Sequence, residues 1–230
     1  MKIKICLISD SHGKHRQLTI PPCDILVHAG DWTGEGRAEE VRDFAKWIDS
    51  LEQVVDVILT PGNHERYFER ALPDSLAWIK DECPRAHLLI HESLELRGIN
   101  FFASPWTPAF GFQWAWNAGR TPVEAAHLFK PFIGDLWQDI PESTQILVTH
   151  GMPFGILDDA MDFHLGKITS VGDRELLKRC KELPNLKHVV GGHLHAQGGK
   201  SLLQDGVWYH NAAQCDDNYQ ITRKPIIIEI

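Results

Sequence analysis

Two histidines stand one residue apart in the stretch GGHLH, residues 191–195, directly after an apolar run that ends at Val190. Imidazole is a common metal ligand and a proton donor or acceptor near neutral pH. On an extended backbone, side chains at i and i+2 point to the same side, whereas on a helix they diverge. An extended segment or a tight turn therefore lets His193 and His195 converge on one site. A chance pair on a polar loop is the alternative.

Residues of metal-binding type also follow four earlier apolar runs. They occur in the stretches SDSH, AGD, TPGNH and THG, which contain Asp10, His12, Asp31, Asn63, His64 and His150. Carboxylate, imidazole and amide groups without a thiolate form a donor set that suits manganese, iron, cobalt, nickel or zinc. None of these short motifs is specific by itself. Their ordered occurrence at the ends of apolar runs predicts a metal site.

The elements that must position these residues alternate between strands and helices. Buried strands are predicted for IKICLIS, DILVHAG and VVDVILTPG, and a helix for RAEEVRDFAKWIDSLEQ. This order indicates α/β architecture, in which ligands bind where the strands end. Late in the chain, Asp205-Gly206 between two β-prone runs predicts a hairpin, and PIIIEI predicts a final strand.

Composition and charge argue against several function classes. The formal net charge of -8 disfavours general attraction to nucleic acid and to anionic membrane surfaces. No apolar run is long enough to cross a bilayer or to form the core of a signal peptide. The five cysteines are odd in number and scattered, which favours a reducing compartment. We therefore expect a cytoplasmic protein, and a single domain over residues 1–230 because no repeat or linker divides the chain.

The motifs D-S-H, G-D, G-N-H-E, H-G and G-H-L-H, in this order, resemble the calcineurin-like metallophosphoesterase superfamily. Within it, the stretches FFASPWTPAFGFQWAWN, THGMPFGILD, GGHLHAQGG and YHNAAQC…KPIIIEI resemble the metallophosphoesterase-domain-containing branch. The resemblance extends from about Ile3 to Ile230. It implies a four-layer α/β/β/α sandwich of two mixed β-sheets flanked by helices, with the site at the upper edge of the sheets.

The resemblance also implies two divalent metal ions and assigns the site residues. The first ion is expected on Asp10, His12, Asp31 and His195. Asp31 is expected to bridge to a second ion, which Asn63, His150 and His193 also bind. His64 is expected to be catalytic without binding metal.

Those residue types suit phosphoester chemistry. Two cations roughly 3.5–4 Å apart can stabilise the attacking and leaving oxygens of an in-line displacement, with a bridging water acidified to hydroxide as nucleophile. Asp31 has two carboxylate oxygens to share between two ions. His64 can then protonate the leaving alkoxide, which suits an imidazole pKa near neutrality.

Three substrate classes compete. Protein phosphatases of the superfamily continue the second motif with an aspartate-arginine pair, whereas this chain reads GDWTGEG. Nucleases usually carry extra DNA-binding segments, and this acidic chain has no Lys/Arg-rich run. Small phosphodiesters remain, with cyclic nucleotides the class that the resemblance suggests. The alternatives are a phosphomonoesterase on the same scaffold and a non-catalytic interaction module.

An aromatic segment, SPWTPAFGFQWAWN at residues 104–117, is the most individual feature of the chain. Most of its rings are expected to pin a long loop to the body, and one or two to stack on substrate at the rim of the cleft. Trp106 is predicted at the rim because it closely follows the strand GINFFAS. Asn211 is a second predicted substrate-site residue, because it lies in a stretch that matches the branch.

Overall fold

The structure is a computed structural model that describes residues 2–111, 113–162 and 166–230, so Phe112 of the aromatic segment lies outside the described residues. The strands in this part of the chain are β1 (Lys4–Ile8), β2 (Cys23–His28), β3 (Val54–Leu59), β4 (Ala86–Leu88), β5 (Glu92–Leu96), β6 (Ile99–Ser104), β7 (Thr107–Pro108), β8 (Asn117–Ala118), β9 (Ile146–Thr149), β10 (Asp159–Asp162), β11 (Lys167–Ser170), β12 (His188–Gly191), β13 (Lys200–Gln204), β14 (Val207–Asn211) and β15 (Ile226–Glu229). The helices are α1 (Ala38–Asp49), α2 (Arg66–Arg70), α3 (Leu72–Glu82), α4 (Pro122–Leu128), α5 (Ile133–Gln138) and α6 (Arg174–Glu182).

Two mixed sheets form the centre of the protein. The first has the order β15-β1-β2-β3-β4, in which β15 is antiparallel to β1 and the other neighbours are parallel. The second has the order β13-β14-β12-β9-β6-β5, with parallel pairs in the middle and an antiparallel pair at each end. The predicted hairpin is confirmed, because Asp205 and Gly206 connect β13 to β14 with φ values of 51° and 81°.

Alternating side chains of the strands separate three apolar layers. On β1, Ile5 and Leu7 pack between the two sheets, whereas Cys6 and Ile8 pack against the helix side. On β9, Ile146 faces the layer between the sheets and Leu147 faces the opposite side. Successive strand residues point to opposite faces, so strands buried on both faces read as continuous apolar runs.

Helices cover the two outer faces. The apolar sides of α1, α2 and α3 pack on the first sheet through residues such as Phe44 and Phe68. The second sheet is covered by α5 and α6, which contribute Trp137 and Leu176. The predicted four-layer α/β/β/α sandwich is therefore confirmed. Within the described residues, no helix combines the length and apolarity that crossing a membrane requires.

Candidate metal centre

The predicted ligands all follow the carboxyl ends of parallel strands. Asp10 and His12 follow β1, Asp31 follows β2, and Asn63 follows β3 in the first sheet. In the second sheet, His150 follows β9, and both His193 and His195 follow β12. The ends of the two sheets meet at this edge, where the backbone N–H of Ser9 donates to the carbonyl of Ala212 at 2.9 Å.

One donor group consists of Asp10, His12 and His195. Nε2 of His195 lies 3.3 Å from Oδ1 of Asp10, and Nε2 of His12 lies 3.8 Å from the same oxygen. The two Nε2 atoms are 3.1 Å apart. Asp10 is fully buried, and its carboxylate also accepts the backbone N–H of His193 at 2.9 Å.

A second donor group consists of Asp31, His150 and His193. Nε2 of His150 lies 3.3 Å from Oδ2 of Asp31 and 2.8 Å from Oδ1 of Asn63. Oδ2 of Asp31 also lies 3.8 Å from Nε2 of His12, so Asp31 stands between the two groups. His193 and His195 thus belong to different donor groups although only one residue separates them.

Backbone carbonyls orient three of the imidazoles. A carbonyl only accepts, so Nδ1 carries the proton in His150 (2.9 Å to Ala29), in His195 (2.9 Å to Asp216) and in His64 (2.8 Å to Gly34). In the neutral ring, Nε2 is then left with a lone pair. The Nε2 lone pair of His150 faces two oxygen acceptors, an arrangement that only a cation or an additional proton stabilises. The donor set therefore fits divalent metal ions.

The buried carboxylates and imidazoles of the cluster shift one another's pKa values. Burial disfavours the charged form of His150, but the Asp31 carboxylate outweighs it and raises the pKa of His150 to about 9. Burial also opposes ionisation of Asp31, yet His150 holds the pKa of that carboxyl well below its usual range. Burial lowers the pKa of His12 to about 4 and that of His193 to about 3. The cluster thus keeps the Asp31 carboxylate ionised beside a protonated His150, whereas His12 and His193 are neutral near pH 7.

Four of the site residues hold left-handed backbone conformations. The φ values are 53° for Asp10, 43° for His12, 56° for Asp31 and 65° for His193. Such φ values are uncommon outside glycine, and residues that hold them concentrate at functional sites, where the surrounding structure must compensate the strain. The left-handed residues make the tight turns after the strands, and these turns direct the four side chains toward the cluster.

Of the two backbone forms expected for GGHLH, an extended segment or a tight turn, the structure has the tight turn. The strand β12 ends at Gly191, His193 is left-handed, and His195 begins a short 3₁₀ turn over residues His195–Gln197. Gly192 makes this turn possible, since a Cβ there would overlap the Asp10 carboxylate and the side chain of Ser9. The two imidazoles reach one site because the chain turns sharply, rather than because alternate residues share a strand face.

Glu65 is a site residue that the sequence reasoning did not select. It is fully buried, and its Oε2 accepts the backbone N–H of Asp31 at 3.0 Å and of Gly62 at 2.6 Å. Its Oε1 accepts the backbone N–H and the hydroxyl of Thr33 at 3.1 and 2.9 Å. Burial and the neighbouring Asp31 charge raise the pKa of Glu65 to about 8, against the effect of these donors. The only sequence signal was its place directly after GNH.

His64 borders the cluster. Its ligand-type atoms lie within 4.8 Å of those of His12 and Asp31, and its backbone N–H donates to Oδ1 of Asp31 at 2.8 Å. The ring of Trp114 lies 4.7 Å from the His64 ring, and the ring of His12 lies 4.5 Å from it, nearly perpendicular. His64 is therefore held by contacts on two sides and by the hydrogen bond at Nδ1.

A cavity of about 390 Å³ opens above the donor groups. Phe110 and Trp114 line it from the aromatic segment, whereas Trp106 is not among its lining residues. Trp106 packs edge-on against Trp116, with ring centroids 5.7 Å apart. The physical reason is the pairing of β7 with β8, which closes the base of the loop beside Trp106 and lets its middle reach the site.

Asn211 is buried and supports the GGHLH turn. Its amide nitrogen donates to the carbonyl of Leu194 at 3.0 Å and of Leu157 at 3.2 Å, and its Oδ1 accepts the backbone N–H of Ala213. Its hydrogen bonds therefore go to the backbone around His195, and Asn211 does not line the cavity.

Tyr219 was also not selected from the sequence. Its ring lies 4.7 Å from the His12 ring and 5.3 Å from the His195 ring, and it lines the cavity. Its φ of 57° is left-handed, and Asp216 shapes its turn by accepting the backbone N–H groups of Asn218 and Gln220. A bulky residue in this conformation points to a role at the site, but no motif in the sequence marks it.

The amino-acid sequence is similar to those of metallophosphoesterase domain-containing and UPF0046 proteins. The chain is 29% identical over 243 residues to the human metallophosphoesterase domain-containing protein 1, with 97% of this chain and 69% of the relative covered. It is 30% identical over 239 residues to a UPF0046 protein of Caenorhabditis elegans, with 99% of this chain and 75% of the relative covered.

Solved structures share the fold. A TM-score of 0.61 relates the chain to the phosphopantetheinyl hydrolase of Mycobacterium tuberculosis, at 18% identity with 94% of this chain and 90% of the other covered. A TM-score of 0.62 relates it to the protein TT1561 of Thermus thermophilus, at 14% identity with 93% and 92% covered. The sequence profile described as calcineurin-like phosphoesterase matches residues 3–197. Because this match covers most of the chain, the protein belongs to the calcineurin-like phosphoesterase family. The family and the donor groups at the strand ends support the conclusion that the protein is a phosphoesterase, a hydrolase.

Proposed function

We propose that the protein is a metal-dependent phosphodiesterase that hydrolyses small phosphodiesters. The observation that carries the proposal is the charge around the cavity. Asp159 and Asp217 line it, and none of its described lining residues is a lysine or arginine. A phosphodiester is a monoanion, whereas a phosphomonoester is largely a dianion near neutral pH. Like charges close together repel, so two additional carboxylates disfavour the dianion more than the monoanion.

Two metal sites are proposed within the cluster. The first consists of Asp10, His12, Asp31 and His195, and the second of Asp31, Asn63, His150 and His193. Divalent ions bound there would supply positive charge to the phosphoryl oxygens and would acidify a water molecule at neutral pH. Manganese, iron, cobalt, nickel and zinc all suit the nitrogen and oxygen donors.

Asp31 is proposed to bind both ions. Its Oδ2 already lies between His12 of the first donor group and His150 of the second. Its Oδ1 accepts the His64 backbone N–H, and its own N–H donates to Glu65. These hydrogen bonds fix the carboxylate at the centre of the cluster. Asp31 therefore lies within 3.8 Å of a histidine nitrogen of each donor group.

His64 is proposed to donate a proton to the leaving oxygen. Gly34 accepts the Nδ1 proton, so Nε2 is the nitrogen that can exchange a proton with substrate. His64 lines the cavity, and the flanking rings of Trp114 and His12 restrict its rotation. A positioned general acid of this kind contributes about 10²–10⁴-fold to rate.

The test compares two substrates with the same leaving group. Metal-free protein is reconstituted separately with each of the five metals and given bis-p-nitrophenyl phosphate or p-nitrophenyl phosphate. We expect metal-dependent release of nitrophenolate with the diester preferred in kcat/KM, and no release by Asp31→Asn. A panel of cyclic nucleotides then narrows the substrate.

Two other results would replace the proposal. Preference for the monoester would identify a phosphomonoesterase on the same scaffold. No turnover of either compound with any metal would identify a non-catalytic interaction module.

A further inference from the structure

A second cavity, of about 630 Å³, adjoins the one above the metal-ligand cluster. It lies between the loop at residues 108–110 and the hairpin formed by β10 and β11. Both cavities are lined by Phe110, Ala160, Met161, His193 and Leu194. Because His193 borders both spaces, a molecule whose phosphate lies at the donor groups can extend directly into the second cavity.

The second cavity differs from the first in its chemistry. Its walls are apolar, with Pro108, Met152 and Val171 in addition to the shared residues, and Asp159 and Asp217 do not border it. Arg120 is the one lysine, arginine or carboxylate side chain among its described lining residues. Two of the guanidinium donors already reach the carbonyls of Ala109 and Val171, at 3.3 and 3.4 Å. The cavity therefore has apolar walls with one cation, a lining that suits an aromatic ring because a guanidinium can also contact the face of such a ring.

Large apolar side chains at the shared border remain open to solvent. Phe110 is 45% exposed and Met161 is 49% exposed. The Phe110 ring lies 4.9 Å from the His193 ring and is stacked with the Trp114 ring at 5.8 Å. Exposed apolar groups in a concave site next to polar ligands are the usual signature of a ligand pocket. An aromatic ring matches both their shape and their polarity.

We propose that the second cavity binds an uncharged aromatic ring of one ester group of the substrate, while the phosphate lies at the donor groups beside His193. This inference rests on the proposed function and adds the class of substituent that the diester carries. The ring removes Phe110 and Met161 from water. The acidic border of the first cavity contributes nothing to binding of this group, since its carboxylates lie outside the second cavity.

The experiment measures binding of two monoanions that differ by one ring. Methyl phenyl phosphate and dimethyl phosphate are titrated into the metal-loaded protein by calorimetry. Burying one phenyl ring in an apolar site predicts about 10- to 100-fold tighter binding of the phenyl ester. Equal dissociation constants would overturn the inference.

Two matched variants test whether the phenyl ring binds in the second cavity. Met161→Glu places a carboxylate at the shared border and is expected to reduce the ratio of the two dissociation constants at least about 10-fold. Leu203→Glu is the control, since Leu203 on the β13 edge strand is 52% exposed and lines neither cavity. It is expected to leave the ratio unchanged. A full preference for the phenyl ester in Met161→Glu would also overturn the inference.

Two separate measurements distinguish failure of the proposed function from failure of this inference. Turnover of bis-p-nitrophenyl phosphate by the same metal-loaded sample tests the function. Calorimetry does not depend on turnover, so a ring preference without hydrolysis would leave the binding site in place and reject only the phosphodiesterase. Hydrolysis without a ring preference would reject only the site for the ring.

Discussion

The carboxylate of Glu65 accepts the backbone N–H of Asp31 at 3.0 Å, and the same carboxylate binds the turn after β3 through Gly62. Glu65 thereby connects two of the loops that carry proposed metal ligands. All four of its hydrogen-bond partners are donors, and each carboxylate oxygen accepts two of them. The position of Glu65 therefore requires a side chain whose two terminal atoms both accept hydrogen bonds.

Glu65→Gln is therefore expected to weaken metal binding. The amide NH₂ group must face backbone N–H donors, which leaves buried groups unpaired at a cost of about 1–3 kcal/mol. Residues that orient metal ligands typically change affinity by about 10- to 100-fold when replaced. Metal titration of the metal-free protein above pH 8, where the Glu65 carboxyl is ionised, measures the effect. The exposed Glu39→Gln is the control, and equal affinities in both variants would reject the orienting role of Glu65.

Asp31→Asn is expected to lose more metal than the replacement of any terminal ligand. Asparagine presents one oxygen acceptor and no charge, so both proposed ions lose an anionic ligand at once. His12→Ala and Asn63→Ala each remove a ligand from only one proposed ion and serve as comparisons. Elemental analysis of the purified proteins gives the metal equivalents. Retention of two equivalents and full activity by Asp31→Asn would reject the bridging assignment.

The loss of activity in His64→Ala is expected to depend on the leaving group of the substrate. A cyclic nucleotide has a basic leaving alkoxide that needs a proton, and the loss should reach about 10²–10⁴-fold in kcat. Nitrophenolate leaves without protonation, so the loss on bis-p-nitrophenyl phosphate should be much smaller. Rates are compared at equal metal content. Equal losses on both substrates would indicate a role in phosphate positioning instead.

His210 is expected to make stability dependent on pH. It is 2% exposed, lies 3.1 Å from Nδ1 of His188 and 2.8 Å from the Ser201 hydroxyl, and burial lowers its pKa to about 4. In the unfolded chain the pKa is about 6.5, so the unfolded state binds the proton first. Stability is therefore complete above about pH 6.5 and falls as the pH drops toward 4, by about 3 kcal/mol at most.

Urea unfolding in the presence of a chelator measures this dependence. His210→Gln should show a flatter decline in the free energy of unfolding between pH 6.5 and 4.5 than the original chain. His127→Gln, at an exposed position on α4, should keep the original slope. If all three proteins have the same slope, then protonation of His210 does not limit folding in acid.

Much of the site was predictable because its donors follow apolar runs. Parallel strands end at the same edge of a sheet, so Asp10, Asp31 and Asn63 had to lie together once β1, β2 and β3 were recognised. The continuous apolar runs likewise predicted buried strands of an α/β protein, whereas the two-sheet sandwich was expected from the resemblance to a family. These features depend on periods of a few residues, which a single sequence displays directly.

Other features depended on contacts between distant parts of the chain. His193 and His195 reach different donor groups through a left-handed residue and a 3₁₀ turn, supported by Asp10, which is 183 residues away from His193. Trp114 rather than Trp106 lines the cavity because β7 and β8 pair at the base of the loop.

The sequence by itself determined the α/β class, the strand-end donors and their chemical type, since local apolar periodicity and residue identity carry that information. Only the tertiary structure decided that Glu65 holds Asp31, that Tyr219 lies over the histidines, and that an apolar cavity adjoins His193. The physical reason is that these arrangements result from packing and hydrogen bonds between loops of both sheets. Such contacts leave no spacing pattern in the sequence.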